Sequence, residues 1–196
     1  MKGYENLPVD YVPLLSIDLQ KQKKTAVLVY AISGVIAVAL VLLGIFAVPE
    51  AKLFDFSAGY GIYFLRLLVL AGGLFAYIVL HELVHGVFMR LFSKMRVKYG
   101  FTALYAYAGS DAYFDKSSYI IIALAPVVVW GAVLALVCAL VPPLWFWPLY
   151  IIQINNFAGT AGDFYVTARF ACLPRDILVR DTGTAMTVFA KSTETV

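Results

Sequence analysis

Four apolar stretches dominate the hydrophobic pattern of the chain, and each can form a helix that crosses a bilayer, which takes about 20 residues. They cover residues 25–48, 60–92, 119–141 and 144–173. Only the fourth is interrupted in its second half, where polar residues and glycines appear in the sequence NNFAGTAGD. The pattern predicts an all-α polytopic membrane protein with about four transmembrane helices.

The segment between the second and third stretches has a different period. Tyr99, Phe101, Tyr105 and Tyr107 follow a period of two that skips position 103, and the sequence GSD at 109–111 is typical of a turn. These features predict a small β-hairpin between helices two and three, which lies at the membrane interface. The alternative is an irregular aromatic loop resting on lipid headgroups.

The composition agrees with a lipid environment. Apolar residues make up 62% of the 196 residues and charged residues 14%, whereas soluble domains have about half and a quarter. One small core cannot bury so much apolar surface. The net charge of +3 is modest, and no basic, aromatic-interleaved stretch indicates nucleic acid binding.

The basic residues predict the orientation in the membrane. If the chain crosses four times, thirteen of the fifteen Lys and Arg residues lie on one side, the exceptions being Lys52 and Arg66, which can snorkel. Both termini are then expected in the cytosol. The predicted location of the protein is the plasma membrane of the cell. The predicted organisation is a cytosolic segment at 1–24, a transmembrane domain at 25–173 and a cytosolic tail at 174–196, which contains a possible short strand.

The two histidines of the chain both fall in the sequence HELVH, inside the second apolar stretch. His81 and His85 are four residues apart and therefore share one helix face. This HExxH arrangement is the one used by zinc hydrolases, with Glu82 as general base. The alternative is a pair of buried, hydrogen-bonded histidines. Ionisable groups within a membrane are costly and usually functional, which favours the metal site.

A catalytic zinc needs a third protein ligand, and Asp163 is the predicted one because it alone among the downstream acids lies in an apolar stretch. From Tyr60 to His81 a straight helix rises about 32 Å, and from Leu144 to Asp163 about 29 Å, so both groups reach a similar depth. The other downstream acidic residues are Asp111, Asp115, Asp176, Asp181 and Glu194.

Two asparagines and two glycines accompany this aspartate. Asn155 lies eight residues before Asp163, about two helical turns away, on roughly the same side. Its amide is a candidate for binding a substrate carbonyl or oxyanion, and an interhelical hydrogen bond is the alternative. Gly159 and Gly162 allow close helix packing.

The motifs HELVH and NNFAGTAGD resemble the site-2-protease class of intramembrane zinc metalloproteases. They are more similar still to the small bacterial membrane proteins grouped as the putative zincin peptidase family. The spacing of Asn155 and Asp163 matches the site-2-protease pattern. That pattern has Pro and Gly where this chain has Ala158 and Phe164.

The resemblance implies that His81, His85 and Asp163 bind Zn²⁺ and that Glu82 is the catalytic base. The predicted function is a membrane-embedded zinc metalloendopeptidase that cleaves membrane proteins or peptides near the cytosolic face. The alternative is a non-catalytic scaffold with a structural or vestigial zinc site, and Glu82 favours the enzyme because a structural site needs ligands only. A metal transporter is disfavoured, because the polar groups cluster at one depth. We further expect the segment 97–107 to bind an extended substrate by β-strand addition.

Overall fold

The computed structural model describes residues 2–18, 20–102 and 105–192. Two compact units divide the chain between them. The sheet unit comprises Met1–Val27, Glu82–Pro126 and Asp163–Val196, and the helical unit comprises Leu28–His81 and Val127–Gly162. The chain therefore passes between the units several times, and one of these passages falls between His81 and Glu82.

The helices account for the long apolar stretches. Within the described residues they are α1 (Lys23–Ala47), α2 (Tyr60–Ser93), α3 (Lys116–Leu140), α4 (Pro143–Gly159), α5 (Ala161–Ala171) and a short 3₁₀ helix, Glu50–Phe54. Three of them, α1, α2 and α3, are long and apolar enough to cross a membrane.

The strands form two antiparallel sheets. They are β1 (Gly3–Tyr4), β2 (Tyr11–Ile17), β3 (Val97–Phe101), β4 (Ala106–Ser110), β5 (Tyr113–Asp115), β6 (Leu178–Asp181) and β7 (Met186–Lys191). The larger sheet has the order β1-β5-β6-β7-β2, and the smaller one pairs β3 with β4.

The all-α fold class predicted from the sequence is therefore wrong, since the protein combines helices with a five-stranded sheet. The sheet joins segments from opposite ends of the chain, and Tyr11 pairs with Lys191. Strand formation depends on such tertiary partners more than on local preference. Two- to seven-residue strands also carry too short an alternation to stand out beside 25-residue apolar helices.

Three of the short strands were predicted from the sequence. β3 and β4 pair antiparallel, with Tyr99 opposite Ala108, which confirms a β-hairpin between α2 and α3. The aromatic period was sufficient to identify it, but the predicted turn was wrong. Gly109 and Ser110 lie within β4, and Thr102 N–H donates to the Tyr105 carbonyl between the two strands. β7 lies where the short strand in the tail was expected.

The core of the sheet unit forms on one face of the large sheet. Phe114, Ile177, Val179 and Val188 are buried completely, as is Phe170 of α5. They pack together in one apolar cluster with residues of α2 and α3. This packing fixes the sheet against those parts of the helices that belong to the same unit.

The fourth predicted span, 144–173, is two helices rather than one. α4 ends at Gly159 and α5 begins at Ala161, with Thr160 between them. The Thr160 hydroxyl donates a hydrogen bond to the backbone carbonyl of Asn156, a side-chain bond that competes with the helical ladder. The assumption of a straight helix from Leu144 to Asp163 is thus wrong.

Arg66 does not snorkel towards solvent. Its side chain is 1% exposed, within the helical unit. The guanidinium donates hydrogen bonds to the backbone carbonyls of Lys52, Leu53 and Asp55, which follow α1. These carbonyls accept from the two terminal nitrogens of the buried cation and offset part of the cost of its burial, whereas Nε has no hydrogen-bond partner among the described residues.

Candidate metal centre

Helix α2 carries both histidines one turn apart. It runs unbroken from Tyr60 to Ser93, contains no proline and is apolar along most of its length. His81 and His85 are each 8% exposed. The local sequence therefore supplies two buried imidazoles on one face, as the i, i+4 spacing predicted.

Asp163 joins the two histidines from the first turn of α5. Its Oδ1 atom lies 3.7 Å from Nε2 of His85. One ligand atom from each of His81, His85 and Asp163 lies within 4.8 Å of the others. Two ligands at zinc distance in a tetrahedral site are about 3.4 Å apart, so two imidazoles and this carboxylate fit one ion.

A backbone carbonyl orients His85. The His85 Nδ1 atom is 2.9 Å from the carbonyl oxygen of Ile122 in α3. Because a carbonyl can only accept, Nδ1 carries the proton. Nε2 is then the nitrogen that can bind a metal, and it is the atom facing Asp163. A hydrogen bond of this kind to the non-ligating nitrogen is typical of metal-binding histidines.

A chain of side chains orients His81. Tyr77 lies one turn earlier on α2, with its hydroxyl oxygen 2.7 Å from Nδ1 of His81. The same hydroxyl donates to Oδ1 of Asn156 at 2.9 Å. Since the Tyr77 proton goes to the asparagine, the hydroxyl oxygen accepts from His81 Nδ1–H. Nε2 of His81 is again the nitrogen that can bind a metal.

Asn156 is itself held in place and is completely buried. Its amide nitrogen donates to the carbonyl oxygen of Val127 and to Oε1 of Gln153, each at 3.3 Å. Gln153 in turn donates to the carbonyl oxygen of Gly131 at 2.9 Å. These bonds fix which side of the amide presents its oxygen to Tyr77.

Asn155 was the amide predicted from the sequence, but Asn156 is the residue that belongs to this chain of hydrogen bonds. Asn155 is half-buried on α4, and it stays a predicted oxyanion-binding amide. Adjacent residues on a helix point about 100° apart, and spacing along the sequence could not choose between them. Tyr77 was also missed. Its position four residues before His81 was the available signal.

Glu82 lies beside the two histidines and is partly exposed. Its carboxylate accepts a hydrogen bond from the backbone N–H of Ala108 in β4. The negative charges of Asp163 and Asp181 interact electrostatically with this carboxylate. The predicted general base is thus attached to the edge of the hairpin and lies close to the candidate ligand Asp163.

Asp181 is a second buried acid of the sheet unit. Tyr119 donates a hydrogen bond to its Oδ2 atom at 2.5 Å, and Gly183 N–H donates to Oδ1 at 2.8 Å. Burial raises the pKa of Asp181 to about 6. Both carboxylate oxygens are engaged, so the residue closes the turn between β6 and β7 instead of joining the candidate ligands.

The remaining downstream acids have structural roles or lie elsewhere. Asp111 forms ion pairs with Lys98 and Arg180, each at 2.6 Å. The hydrogen bond from Lys98 lowers the pKa of this aspartate. Asp115 accepts a hydrogen bond from the Ser118 N–H at the start of α3. Glu194 lies outside the described residues.

The hairpin packs closely on the metal-binding helix. A Cβ atom at Gly86, the residue after His85, would lie 2.0 Å from the Tyr99 hydroxyl of β3. Glycine allows this close approach, since a side chain at position 86 would displace the Tyr99 ring. The period-two aromatics thus include one residue that contacts the helix directly.

Comparison with models of known protein families gives a match to this chain. A model of the family described as "Putative zincin peptidase" matches residues 74–178, which include both histidines and Asp163. No curated protein matches the chain significantly. No solved structure does either.

Proposed function

The chain belongs to the putative zincin peptidase family, and from this premise we propose that it is a zinc metallopeptidase whose substrates are membrane proteins or peptides. The observation that carries the proposal is the cluster of His81, His85 and Asp163 with ligand atoms within 4.8 Å of one another. Zincins take their name from zinc, and two imidazoles with a carboxylate suit that ion.

The three ligands would bind through Nε2 of each histidine and an oxygen of Asp163. Hydrogen bonds from both Nδ1 atoms support this choice. When bound, zinc supplies Lewis acidity, which makes water a nucleophile at neutral pH. Three protein ligands are the number found in catalytic zinc sites, whereas structural sites use four.

Glu82 would act as the general base. It neighbours His81 in the helix, and the Ala108 N–H holds its carboxylate. In this role Glu82 accepts a proton from the attacking water and later returns it to the leaving amine. Asn155 would donate its amide N–H to the oxyanion that develops on the substrate carbonyl.

We propose that the helices cross the membrane four times with both termini in the cytosol. β1, β2, β5, β6 and β7 share one sheet, so the segments before α1, between α2 and α3, and after α5 lie on one side. In this topology α1 crosses the membrane away from the cytosol and α2 crosses back, and α3 and α4 do the same. α4 spans about 26 Å, near the lower limit for a crossing helix. External labelling of a cysteine introduced at position 110 would contradict this topology.

The hairpin is the proposed substrate-binding element. Tyr99 holds β3 against α2 beside His85, and a strand edge can pair with an unwound substrate. Freed backbone groups of a transmembrane substrate need such partners, since leaving them bare in lipid costs several kcal/mol each. Proline substitutions from Lys98 to Ala106 test this role, with loss of cleavage expected at alternate positions and metal content unchanged.

The decisive experiment compares Glu82→Gln with the wild-type chain in liposomes that contain a fluorogenic transmembrane peptide. Both proteins should retain about one zinc per chain, and the variant should lose cleavage by a factor of about 10² to 10⁴. Glu5→Gln, an exposed position in the sheet unit, is the matched control. Absence of zinc from the wild-type chain, or cleavage by Glu82→Gln at the wild-type rate, would contradict the proposal.

A further inference from the structure

Helix α3 contains a proline in its interior, at position 126. Proline has no backbone N–H and cannot donate to the carbonyl four residues earlier. The residue four positions before Pro126 is Ile122. The carbonyl of Ile122 therefore has no i+4 donor within its own helix.

The same carbonyl is the hydrogen-bond partner of His85. The His85 Nδ1 atom lies 2.9 Å from the Ile122 oxygen. Ile122 is 1% exposed and Pro126 is among the fully buried residues, so water does not supply a substitute donor. The buried carbonyl and the buried imidazole N–H satisfy each other.

We propose that Pro126 is a positioning residue for the metal centre. By removing one N–H from α3, it reserves the Ile122 carbonyl for His85, and this bond fixes the imidazole tautomer and ring orientation that direct Nε2 towards Asp163. The inference rests on the proposed metal site, but it does not depend on which peptide is cleaved.

A donor at position 126 would act against this arrangement. The new N–H would approach the Ile122 oxygen along the helix axis, as in any α-helix. The carbonyl would then divide its hydrogen bonding between this N–H and His85, and α3 would tighten around the proline position. Loss of a partner to the non-ligating nitrogen typically lowers metal affinity about 10- to 100-fold.

Pro126→Ala is the test variant, and Pro148→Ala is its matched control. Pro148 is also a buried proline in a helix interior, in α4. Its i−4 carbonyl belongs to Leu144, about three turns before Asn156. Both substitutions restore one helical hydrogen bond, so both variants should fold. Only Pro126→Ala affects the hydrogen-bond partner of a candidate metal ligand, His85.

The measurement is Zn²⁺ affinity of the detergent-purified full chain, by competition with a chromophoric chelator. We expect about tenfold weaker binding for Pro126→Ala, at the lower end of the range because the carbonyl itself stays. Pro148→Ala should bind as the wild type does. The visible spectrum of the Co²⁺-loaded protein should change for Pro126→Ala alone, because it reports ligand geometry.

A second variant separates the N–H from the proline ring. Replacing Pro126 with the α-hydroxy analogue of alanine introduces an ester, which has neither ring nor N–H. Wild-type affinity in this variant, beside weaker affinity in Pro126→Ala, supports the proposal. Equal affinities of Pro126→Ala and Pro148→Ala would overturn it and leave the metal site intact. Failure of the wild-type chain to bind zinc would remove the proposed function as well.

Discussion

His81 and His85 occupy successive turns of the same helix, but the two units support them by different means. In the helical unit a chain of side chains, Tyr77 followed by Asn156, fixes His81. In the sheet unit a backbone carbonyl, that of Ile122, fixes His85. Equivalent positions in a five-residue motif thus depend on different kinds of partner.

The difference determines how each histidine responds to substitution. A side-chain partner can be removed by a single change, and its neighbours then lose their own partners. A backbone carbonyl remains whatever side chain is attached to it. The orientation of His81 is therefore expected to be sensitive to substitutions of the supporting side chains. The orientation of His85 is expected to be sensitive to the backbone geometry of α3.

Loss of either histidine should have the largest effect on Zn²⁺ binding. It removes the ligand itself, so the difference between the two kinds of support no longer matters. His81→Ala and His85→Ala are each expected to weaken Zn²⁺ binding more than about 100-fold, because a ligand counts for more than its supporting partner. Isothermal titration of the purified variants measures this. Retention of tight binding after either substitution would show that the residue is no ligand.

Asn156→Leu tests the side-chain support of His81. The substitution removes the side-chain oxygen to which the Tyr77 hydroxyl donates and the amide that donates to Oε1 of Gln153. We expect 10- to 100-fold weaker zinc binding and a destabilisation of about 1–3 kcal/mol, measured by titration and thermal unfolding. Asn155→Leu, the adjacent and half-buried position, is the control.

The Asn155→Leu control has an expected result of its own. Zinc binding should stay at the wild-type level, because the Tyr77 hydroxyl that supports His81 donates to Asn156. Peptide cleavage should fall about 10²- to 10³-fold if the Asn155 amide binds the oxyanion. Equal losses of zinc affinity in both variants would contradict the assignment of the support to Asn156.

The units differ also in the polar groups that they bury. The helical unit buries the neutral Gln153 and Asn156 and the cationic Arg66, whereas the sheet unit buries a carboxyl group, that of Asp181. Burial raises the pKa of Asp181 from 3.8 to about 6. The folded state therefore binds a proton more tightly than the unfolded chain, and stability is lost as the pH rises from about 4 to 6.

Asp181→Asn should remove this pH dependence. Above pH 6 we expect the variant to be more stable than the wild type, by about 3 kcal/mol, and below pH 4 the advantage should disappear. Thermal unfolding across that range is the measurement. Asp111→Asn is a control of opposite sign, since ion pairing lowers the pKa of that exposed carboxylate. A pH-independent difference between wild type and Asp181→Asn would contradict the prediction.

Ile122→Val should produce the smallest effect. It shortens a buried side chain and costs about 0.5–1.5 kcal/mol of stability, while the carbonyl that bonds to His85 stays. We expect no measurable change in zinc affinity. A loss as large as that of Asn156→Leu would mean that side-chain packing, rather than the carbonyl, orients His85.

The sequence by itself determined the parts of this protein that follow local periodicity. Apolar runs of 25 to 34 residues form α1, α2 and α3, because a helix satisfies its own backbone wherever it lies. The HExxH spacing placed His81 and His85 on one face, and the alternating aromatics identified the hairpin. Asp163 could be selected as the polar exception in an apolar stretch, and the structure brings it to the histidines.

Only the tertiary structure decided the features that need partners distant in the chain. The five-stranded sheet pairs residues 11–17 with residues 186–191, and short strands have no stability until such partners meet. The break at Thr160 and the choice of Asn156 over Asn155 depend on which groups each helix turn faces. The role of the Ile122 carbonyl could not be predicted from the identity of the Ile122 side chain, because a backbone group makes the hydrogen bond. Hydrogen bonds at a buried site are set by the position of atoms, and a residue pattern specifies only the candidates.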